Sequence, residues 1–239
     1  MSKKQTLSDN ASIYQKREDI SEREKWSQMS KQEKWQYFRD YYLLKLIILI
    51  FAVGFTGYVL YTTFGPRDTP ELYGVVFNDQ LNSEKRDTVL TNFREAMAIP
   101  EKRHIFTLDD TFTLNPESPD VTTEQKITTY AYAGKLDIII AEETTIKYLA
   151  EGQYLQDLTQ ILPSDFYSSN TDQLIFAKQE EDTSDVAYGI SLENSAIYKE
   201  MSVNYNYNGG KKMAIGVAVN SDHRDNAVQF IKYLLSGKV

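Results

Sequence analysis

The chain has 239 residues, a formal net charge of −8 and no cysteine, which excludes disulfides, thiol nucleophiles, Cys-ligated metal sites and a lipid anchor on cysteine. Residues 1–45 contain ten Lys/Arg and seven Asp/Glu and therefore carry +3, which leaves −11 for the remainder of the chain. An acidic domain without a basic stripe is not expected to bind nucleic acid, because affinity for phosphates comes from clustered basic side chains.

Residues 1–29 are predicted to form a polar cytoplasmic tail, and we expect its residues 1–25, which are mixed in charge and poor in apolar side chains, to be disordered or loosely helical. Ser30 is followed three residues later by Glu33, which is the signature of a capping box and predicts a helix start. Aromatic side chains then recur at helical spacing, at Trp35, Phe38 and Tyr42, with Tyr41 beside them. An amphipathic helix over residues 30–45 is typical of the headgroup layer of a membrane, and a dedicated partner-binding helix is the alternative.

The stretch Leu46–Phe64 contains nineteen residues without a charge, and as a helix it would extend about 28 Å, the thickness of the hydrocarbon core of a bilayer. We therefore predict a transmembrane helix that binds the chain to the lipid bilayer. Basic residues precede it at positions 31, 34, 39 and 45, whereas Arg67 alone follows closely. The positive-inside rule places the N-terminus in the cytoplasm and residues 65–239 outside. No small-x-small cleavage site follows the stretch, so we interpret it as an uncleaved signal anchor.

Residues 65–70 are predicted to form a short linker, because Gly65-Pro66 breaks the helix. Apolar strands and amphipathic helices then alternate throughout residues 71–239. Strands are predicted at 72–77, 104–108 (with a continuation at 111–114), 136–141, 174–177, 186–192 and 213–219. Helices are predicted from Ser83 to before Pro100, from a cap at Thr122 or Thr123 to Tyr132, at 144–152 and at 221–237, with a hairpin turn at Asn208-Gly209.

The element order predicts an α/β domain with one doubly wound, mostly parallel sheet behind the transmembrane helix. Three consecutive isoleucines at 138–140 indicate a strand that is buried on both faces, as in the centre of a parallel sheet. Strands and helices that alternate at this spacing favour right-handed crossovers with helices on both faces of the sheet.

A search for catalytic patterns finds no GxSxG, P-loop, HExxH or GxGxxG motif. The two histidines, His104 and His223, have no carboxylate at a metal-ligand spacing and are interpreted as ordinary boundary residues. Asp109-Asp110 and Glu142-Glu143 are adjacent carboxylates, whose side chains on an extended strand point to opposite faces. We therefore expect a protein that is not an enzyme and that has neither a metal nor a cofactor, with a hydrolase as the distant alternative.

The candidate site follows from position, because ligands of doubly wound sheets bind at the carboxyl ends of the strands. The candidate ligand-binding residues are the polar residues at three predicted strand ends and two aromatic residues: Tyr73, Asn78, Asp79, Gln80, Glu142, Glu143, Thr144, Tyr188 and Asn220. Helix caps and turn formers are the alternative interpretation of the polar residues. A concave pocket at these ends would favour solute binding, whereas a flat apolar patch would favour docking onto a partner.

Several short motifs occur in one order between residues 72 and 237. They are the segments Gly134–Ile140, Tyr148–Leu158, Tyr188–Leu192, Ala214–Asn220 and Phe230–Gly237. The order resembles that of the extracellular solute-binding proteins of bacterial ABC importers. In that family a DI(I/V) strand is followed by a helix, a G-x-(L/F)-x-(D/P)-L turn and a YGIP strand, and Ser191 here stands where proline is usual.

The resemblance implies a domain that corresponds to one lobe of a periplasmic-binding-protein fold. Residues 163–212 are too few, and too irregular in pattern, to form the second lobe that clamps a ligand in that family. The resemblance thus implies a non-catalytic module at the outer membrane face that binds a small solute or a partner protein. The alternative is a structural or accessory subunit of a transporter or sensor that docks onto a membrane protein and binds no small molecule.

Overall fold

The computed structural model describes residues 21–179, 183–205 and 212–239. The chain divides into two compact units, Met1–Pro66 and Arg67–Val239. The turn predicted at Asn208-Gly209 lies outside the described residues.

The described part of the first unit consists of helical segments. They are α1 (Glu22–Gln28), α2 (Lys31–Phe38), a π-helical turn (Arg39–Leu43) and α3 (Leu44–Phe64). The capping box predicted at the start of α2 is confirmed, since the Glu33 N–H donates to the Ser30 hydroxyl at 3.3 Å and the Ser30 N–H donates to the Glu33 carboxylate at 2.8 Å. Phe38 lies between Trp35 and Tyr42, with ring centroids 5.9 and 6.4 Å away, so the predicted aromatic face is present.

Helical residues continue from Lys31 to Phe64, a length of 34 residues. Among the described residues this is the one helix that is long and apolar enough to cross a membrane. None of its apolar window is buried, whereas the core helix of a globular domain would be. A membrane anchor or a signal sequence therefore fits α3.

The second unit is built around a six-stranded sheet in the order β2-β1-β3-β6-β5-β4. The strands are β1 (Thr69–Phe77), β2 (His104–Phe112), β3 (Ile138–Glu142), β4 (Leu174–Ala177), β5 (Val186–Ser191) and β6 (Met213–Val217). Strand β1 pairs in parallel with β2 and β3. The pairs β3–β6, β6–β5 and β5–β4 are antiparallel.

The sheet is thus mixed, and four of its strands, β1, β2, β3 and β5, run in one direction. The parallel pairing of β1, β2 and β3 agrees with the predicted sheet, but the predicted direction of β6 was wrong. All five residues of β6 are buried, and a strand buried on both faces shows the same unbroken apolar run in either direction. The sequence of β6 therefore carries no signal for its direction.

Helices cover both faces of the sheet, as predicted. They are α4 (Ser83–Ala96), α5 (Val121–Tyr132), α6 (Glu143–Glu151), α7 (Leu158–Ile161), α8 (Ser164–Ser169), α9 (Ala196–Met201) and α10 (Arg224–Ser236). The side chains of α4, α9 and α10 share one apolar core with Ile138 and Ile140, and those of α5 and α6 share another with Ile139. All three isoleucines are completely buried, which confirms the predicted two-sided strand.

Strand direction defines two edges of the sheet that differ in their chemistry. The edge where β1 and β3 end, at Asn78 and Glu142, is called the carboxyl edge below. The edge where β3 begins, next to Asp137, is called the amino edge. Because β6 is antiparallel to β3, it ends at the amino edge, and Asn220 lies there instead of beside Glu142.

Candidate functional site

An open cavity of about 470 Å³ lies at the carboxyl edge, in front of the ends of β1 and β3. Three of the predicted site residues line it, namely Asn78, Glu142 and Thr144. The remaining lining comes from the loop 113–120 and from Thr145. The cavity is therefore placed where parallel strands end, as the topology of α/β sheets predicts.

Asn78 holds the loop 113–120 against the end of β1. Its side-chain amide donates to the Leu114 carbonyl at 2.5 Å and accepts from the Leu114 N–H at 3.0 Å. Its own N–H donates to the Phe112 carbonyl at 3.1 Å. Asn78 has a φ of 55°, a left-handed conformation that asparagine tolerates better than most residues. Asn78 thus forms one wall of the cavity and fixes the loop that forms another.

The first turn of α6 forms another part of the cavity lining. Glu142 occupies the N-cap position but no side chain caps this helix. The Glu143 N–H donates to the Lys212 carbonyl at 2.9 Å. Helix geometry leaves the next N–H groups, those of Thr144 and Thr145, without an intrahelical acceptor. The start of α6 therefore presents hydrogen-bond donors and the positive end of a helix dipole at the cavity.

The loop 113–120 contributes acidic side chains. Asp120 caps α5, since its carboxylate accepts from the Thr123 N–H at 2.9 Å. The cap predicted at Thr122 or Thr123 was therefore wrong by two or three residues, because an Asp competes well for this position. Together with Glu117 and Glu142, Asp120 gives the cavity three carboxylates, and no Lys, Arg or His of the described part of the chain lines it.

Other predicted residues follow the same strands but lie outside this cavity. Asp79 is 6% exposed and accepts from the Tyr198 hydroxyl at 2.5 Å and the Ser202 hydroxyl at 2.7 Å. Burial, reinforced by the charge and hydrogen bond of Asp79, raises the pKa of Tyr198 well above its ordinary value. Gln80 is exposed, and Glu143 pairs with Lys147 at 2.7 Å. Asp79 thus joins β1 to α9 and the residue that follows it, whereas Gln80 and Glu143 lie outside the cavity.

The two predicted aromatic residues do not line the carboxyl-edge cavity either. The Tyr73 hydroxyl donates to Asp109 at 3.0 Å, and its ring contacts Tyr130 edge-on at 5.9 Å. Burial, followed by the hydrogen bond to Asp109, raises the pKa of Tyr73. Tyr188 is 3% exposed in the core between β5 and its helices. Successive side chains of a strand point to opposite faces of the sheet, and both rings lie on a face that helices cover. The sequence position of each tyrosine did not show which face its ring would occupy.

The adjacent carboxylates of β2 point to opposite faces, as predicted. Asp109 accepts from Tyr73 on one face, whereas Asp110 accepts from the Leu81 N–H at 2.7 Å and lies 3.9 Å from Arg86 on the other. Although burial raises the pKa of Asp109, the hydrogen bonds from Thr111 and Tyr73 bring it below its ordinary value.

The amino edge contains a buried carboxylate that the sequence analysis missed. Asp137 is completely buried and accepts from the Tyr73 N–H at 2.7 Å and the Ser221 hydroxyl at 2.7 Å. It also contacts the ring of His223 at 3.3 Å. His104 lies 2.7 Å from Glu71. His104 begins β2 and His223 is the N-cap residue of α10, so both lie at element boundaries as predicted. Their contacts with Glu71 and Asp137 were not predicted, because these carboxylates are distant in sequence.

Among the described residues, no group of three or more His, Asp or Glu side chains is arranged to hold a metal ion. The residues that sequence reasoning missed at the cavity are the loop 113–120 and Thr145. The loop had a signal, since two prolines and several short polar side chains between β2 and α5 are typical of an ordered loop. Thr145 had none, because its burial depends on the position of α6.

No protein-family model matches the chain, and no curated protein matches it. Among solved structures, the substrate binding domain of a putative molybdenum ABC transporter from Clostridium difficile is similar at 14% identity, with a TM-score of 0.32 over 70% of this chain and 93% of that one. An ABC transporter solute binding protein from Thermotoga lettingae, bound with α-D-tagatose, is similar at 15% identity. Its TM-score is 0.28, and the match covers 52% of this chain and 29% of that one.

A third solved structure is an extracellular solute-binding protein family 1 member from Alicyclobacillus acidocaldarius. It is 15% identical, with a TM-score of 0.25, and the match covers 53% of this chain and 28% of that one. The chain thus spans less than a third of the length of the second and third structures. TM-scores this low do not assign the chain to a family.

Proposed function

We propose that the chain is a membrane-anchored, non-catalytic binding module that holds a small solute at the carboxyl edge of its sheet. The cavity is the observation that carries this proposal: it is concave, lies where β1 and β3 end, and is lined by polar groups from two strands, a loop and a helix. A volume of about 470 Å³ is in the range of small-molecule sites. The order of motifs that resembles bacterial solute-binding proteins supports the same function.

The membrane anchor is the second part of the proposal. Residues 1–29 form the cytoplasmic tail, 30–45 the interfacial helix, 46–64 the span, 65–70 the linker and 71–239 the extracytoplasmic domain. The aromatic and basic residues that precede α3 support this orientation. Lys45 lies over the ring of Tyr42 at 5.6 Å, an arrangement in which a basic side chain and an aromatic ring share the headgroup layer.

The absence of cysteine from the chain makes the orientation directly measurable. Single cysteines are introduced by Ser21→Cys and Ser169→Cys, and intact cells are treated with a membrane-impermeant maleimide. Both serines are exposed, so both thiols react once the cells are broken. We expect labelling of the Ser169→Cys variant alone in intact cells. Labelling of Ser21→Cys alone would contradict the orientation.

The binding proposal is tested with the full chain in detergent micelles, by thermal unfolding in the presence of sugars, amino acids, short peptides and inorganic oxyanions. A solute at 100 times its Kd stabilises the folded state by about 2.7 kcal/mol, which raises the Tm of a domain this size by roughly 5–10 °C. Ser118→Trp places an indole in the cavity and should abolish the rise, whereas Ser169→Trp, on the exposed face of α8, should leave it unchanged.

The alternative, a structural subunit of a transporter or sensor, makes a different prediction in the same preparation. If no solute class raises the Tm and a membrane protein co-purifies at fixed stoichiometry, the binding proposal is wrong and the docking function replaces it.

A further inference from the structure

We propose that the solute held at the carboxyl edge is a small zwitterion, an amino acid or short peptide, with its carboxylate at the start of α6 and its ammonium group among the cavity's carboxylates. This inference deepens the proposed function and rests on it. It comes from three features of the cavity: a buried hydroxyl, an uncapped helix start and an excess of negative charge.

The buried hydroxyl belongs to Thr145. Thr145 is 2% exposed and lines the cavity. No hydrogen bond joins its hydroxyl to another described residue, although every fully enclosed polar side-chain atom in the described part of the chain has a partner. The small exposed surface of Thr145 therefore includes its hydroxyl, which faces the cavity. A hydroxyl that faces the cavity without a partner in the protein can form a hydrogen bond with a bound ligand.

The helix start adds further donors at the same wall. Helix α6 has nine residues and no side-chain cap, whereas Asn82, Asp120 and Ser195 cap α4, α5 and α9. The N–H groups of Thr144 and Thr145 thus lie beside the Thr145 hydroxyl with the positive end of the helix dipole behind them. Such a group of donors fits the oxygen atoms of a carboxylate.

The opposite requirement comes from the acidic side of the cavity. Glu117 and Asp120 of the loop 113–120 line it, and among the described residues no Lys, Arg or His does. An oxyanion alone would be repelled by these two carboxylates, while a cation alone would leave the donors of α6 without acceptors. A molecule that carries an ammonium and a carboxylate group satisfies both walls at once.

Carbohydrates fit this cavity less well. None of the described residues that line it is aromatic, so this lining offers no apolar platform for the face of a sugar ring. A metal ion is also a poor fit, since among the described residues no three His, Asp or Glu side chains lie close enough together to hold one. The volume accommodates an amino acid or a short peptide.

The test is isothermal titration of the full chain in detergent micelles with the twenty standard amino acids and glycyl peptides, neutral hexoses and sulfate. For the tightest zwitterion, the N-acetyl derivative removes the ammonium charge and the carboxamide removes the carboxylate. We expect each derivative to bind at least tenfold more weakly. Loss of affinity with both derivatives is the signature of a site with two charged walls.

Two variants connect the affinity to the cavity. Thr145→Val removes the hydroxyl at constant shape and should weaken binding about tenfold, the size expected for a hydrogen bond to a charged group. Glu117→Gln removes one carboxylate, which is exposed, and should weaken binding several-fold. Thr88→Val and Glu95→Gln, both at exposed positions of α4, are the matched controls and should bind as the parent chain does.

Each outcome separates this inference from the proposed function. If a hexose or sulfate binds and no zwitterion does, the zwitterion inference is wrong although the solute-binding function stands. If a zwitterion binds but Thr145→Val and Glu117→Gln leave its affinity unchanged, the inference about the cavity walls is also wrong. If no solute binds at all, both proposals are wrong.

Discussion

The two edges of the central sheet carry similar residue types but use them in opposite ways. At the amino edge, Asp137 is completely buried and its oxygens accept from the backbone of β1, the Ser221 hydroxyl and the start of α10. At the carboxyl edge, Glu117 is exposed and Thr145 has no hydrogen-bond partner among the described residues. The fold therefore uses the hydrogen-bonding groups of Asp137, whereas it leaves the Thr145 hydroxyl without a partner among the described residues.

Replacing a carboxylate at each edge is the strongest way to break this comparison. Asp137→Ala leaves the Tyr73 N–H and the Ser221 hydroxyl buried without an acceptor, and should lower the free energy of unfolding by about 3–5 kcal/mol. Glu117→Ala at the carboxyl edge should change it by less than about 0.5 kcal/mol. Urea unfolding followed by far-UV circular dichroism measures both. Equal effects would mean that the edges do not differ.

Asp79 tests whether burial or position decides the role of a carboxylate, because it follows β1 at the carboxyl edge yet is buried like Asp137. Tyr198→Phe removes its hydroxyl donor but leaves Ser202 and the Gln80 N–H, so we expect a loss of about 1–3 kcal/mol. The raised pKa of Tyr198 means that its stabilising effect is complete below pH 10, the ordinary value, and is lost as the pH rises further.

The pH dependence provides a second measurement on the same variant. The free energy of unfolding of the parent chain should fall above pH 10, and Tyr198→Phe should make that fall shallower. Tyr148, whose pKa is raised to about 12 by its hydrogen bond to Glu124 and by burial, contributes to the remaining slope. Val121→Ala, which changes an exposed side chain without a titratable group, is the control and should leave the slope unchanged. An unaltered slope in Tyr198→Phe would contradict the role assigned to Asp79.

Two glycines with the same backbone conformation test how tightly the amino edge is packed. Gly134 has a φ of 72° and Gly237 a φ of 71°. A Cβ at Gly134 would lie 2.8 Å from the Asp222 carboxylate and 2.9 Å from the Asn220 carbonyl, whereas nothing lies within 4 Å of one at Gly237. Gly237→Ala should cost about 1 kcal/mol for the left-handed conformation, and Gly134→Ala about 1–2 kcal/mol more. Equal losses of unfolding free energy in the two variants, measured by the same experiment, would show that the residues around Gly134 shift to accommodate the methyl group.

Features that depend on neighbouring residues were predictable from the sequence, whereas the contacts at the amino edge were not. The capping box of α2, the buried isoleucines and the end of α10 at Gly237 follow from local residue chemistry, and the structure has them. The contacts of Asp137 with Tyr73 and His223 join residues 64 and 86 positions apart, and no local pattern encodes such pairs. Asn220 was misplaced for a related reason, since the direction of β6 depends on its neighbours in the sheet.

At the carboxyl edge, position in the topology was more informative than residue type. Asn78, Glu142 and Thr144 were predicted because they follow parallel strands, and they line the cavity. Tyr73 and Tyr188 were predicted as lining because they are aromatic, and their rings pack in the fold instead. Thr145 follows Thr144 directly, but its burial arises from the packing of α6 on β3, β5 and β6, which the sequence does not display.

A substitution of Thr145 has a small expected effect on stability. It tests directly whether the Thr145 hydroxyl contributes to the fold. Thr145→Val keeps the shape of the side chain and removes a buried hydroxyl that has no hydrogen bond to a described residue. The free energy of unfolding without solute should therefore stay the same or rise by up to about 1 kcal/mol, because valine needs no polar partner. Ser195→Ala is the contrast, since that buried hydroxyl donates to the Leu234 carbonyl at 2.6 Å and its loss should destabilise the fold. If Thr145→Val destabilises the chain as much as Ser195→Ala does, the Thr145 hydroxyl serves the fold, and the distinction between the two edges does not extend to this residue.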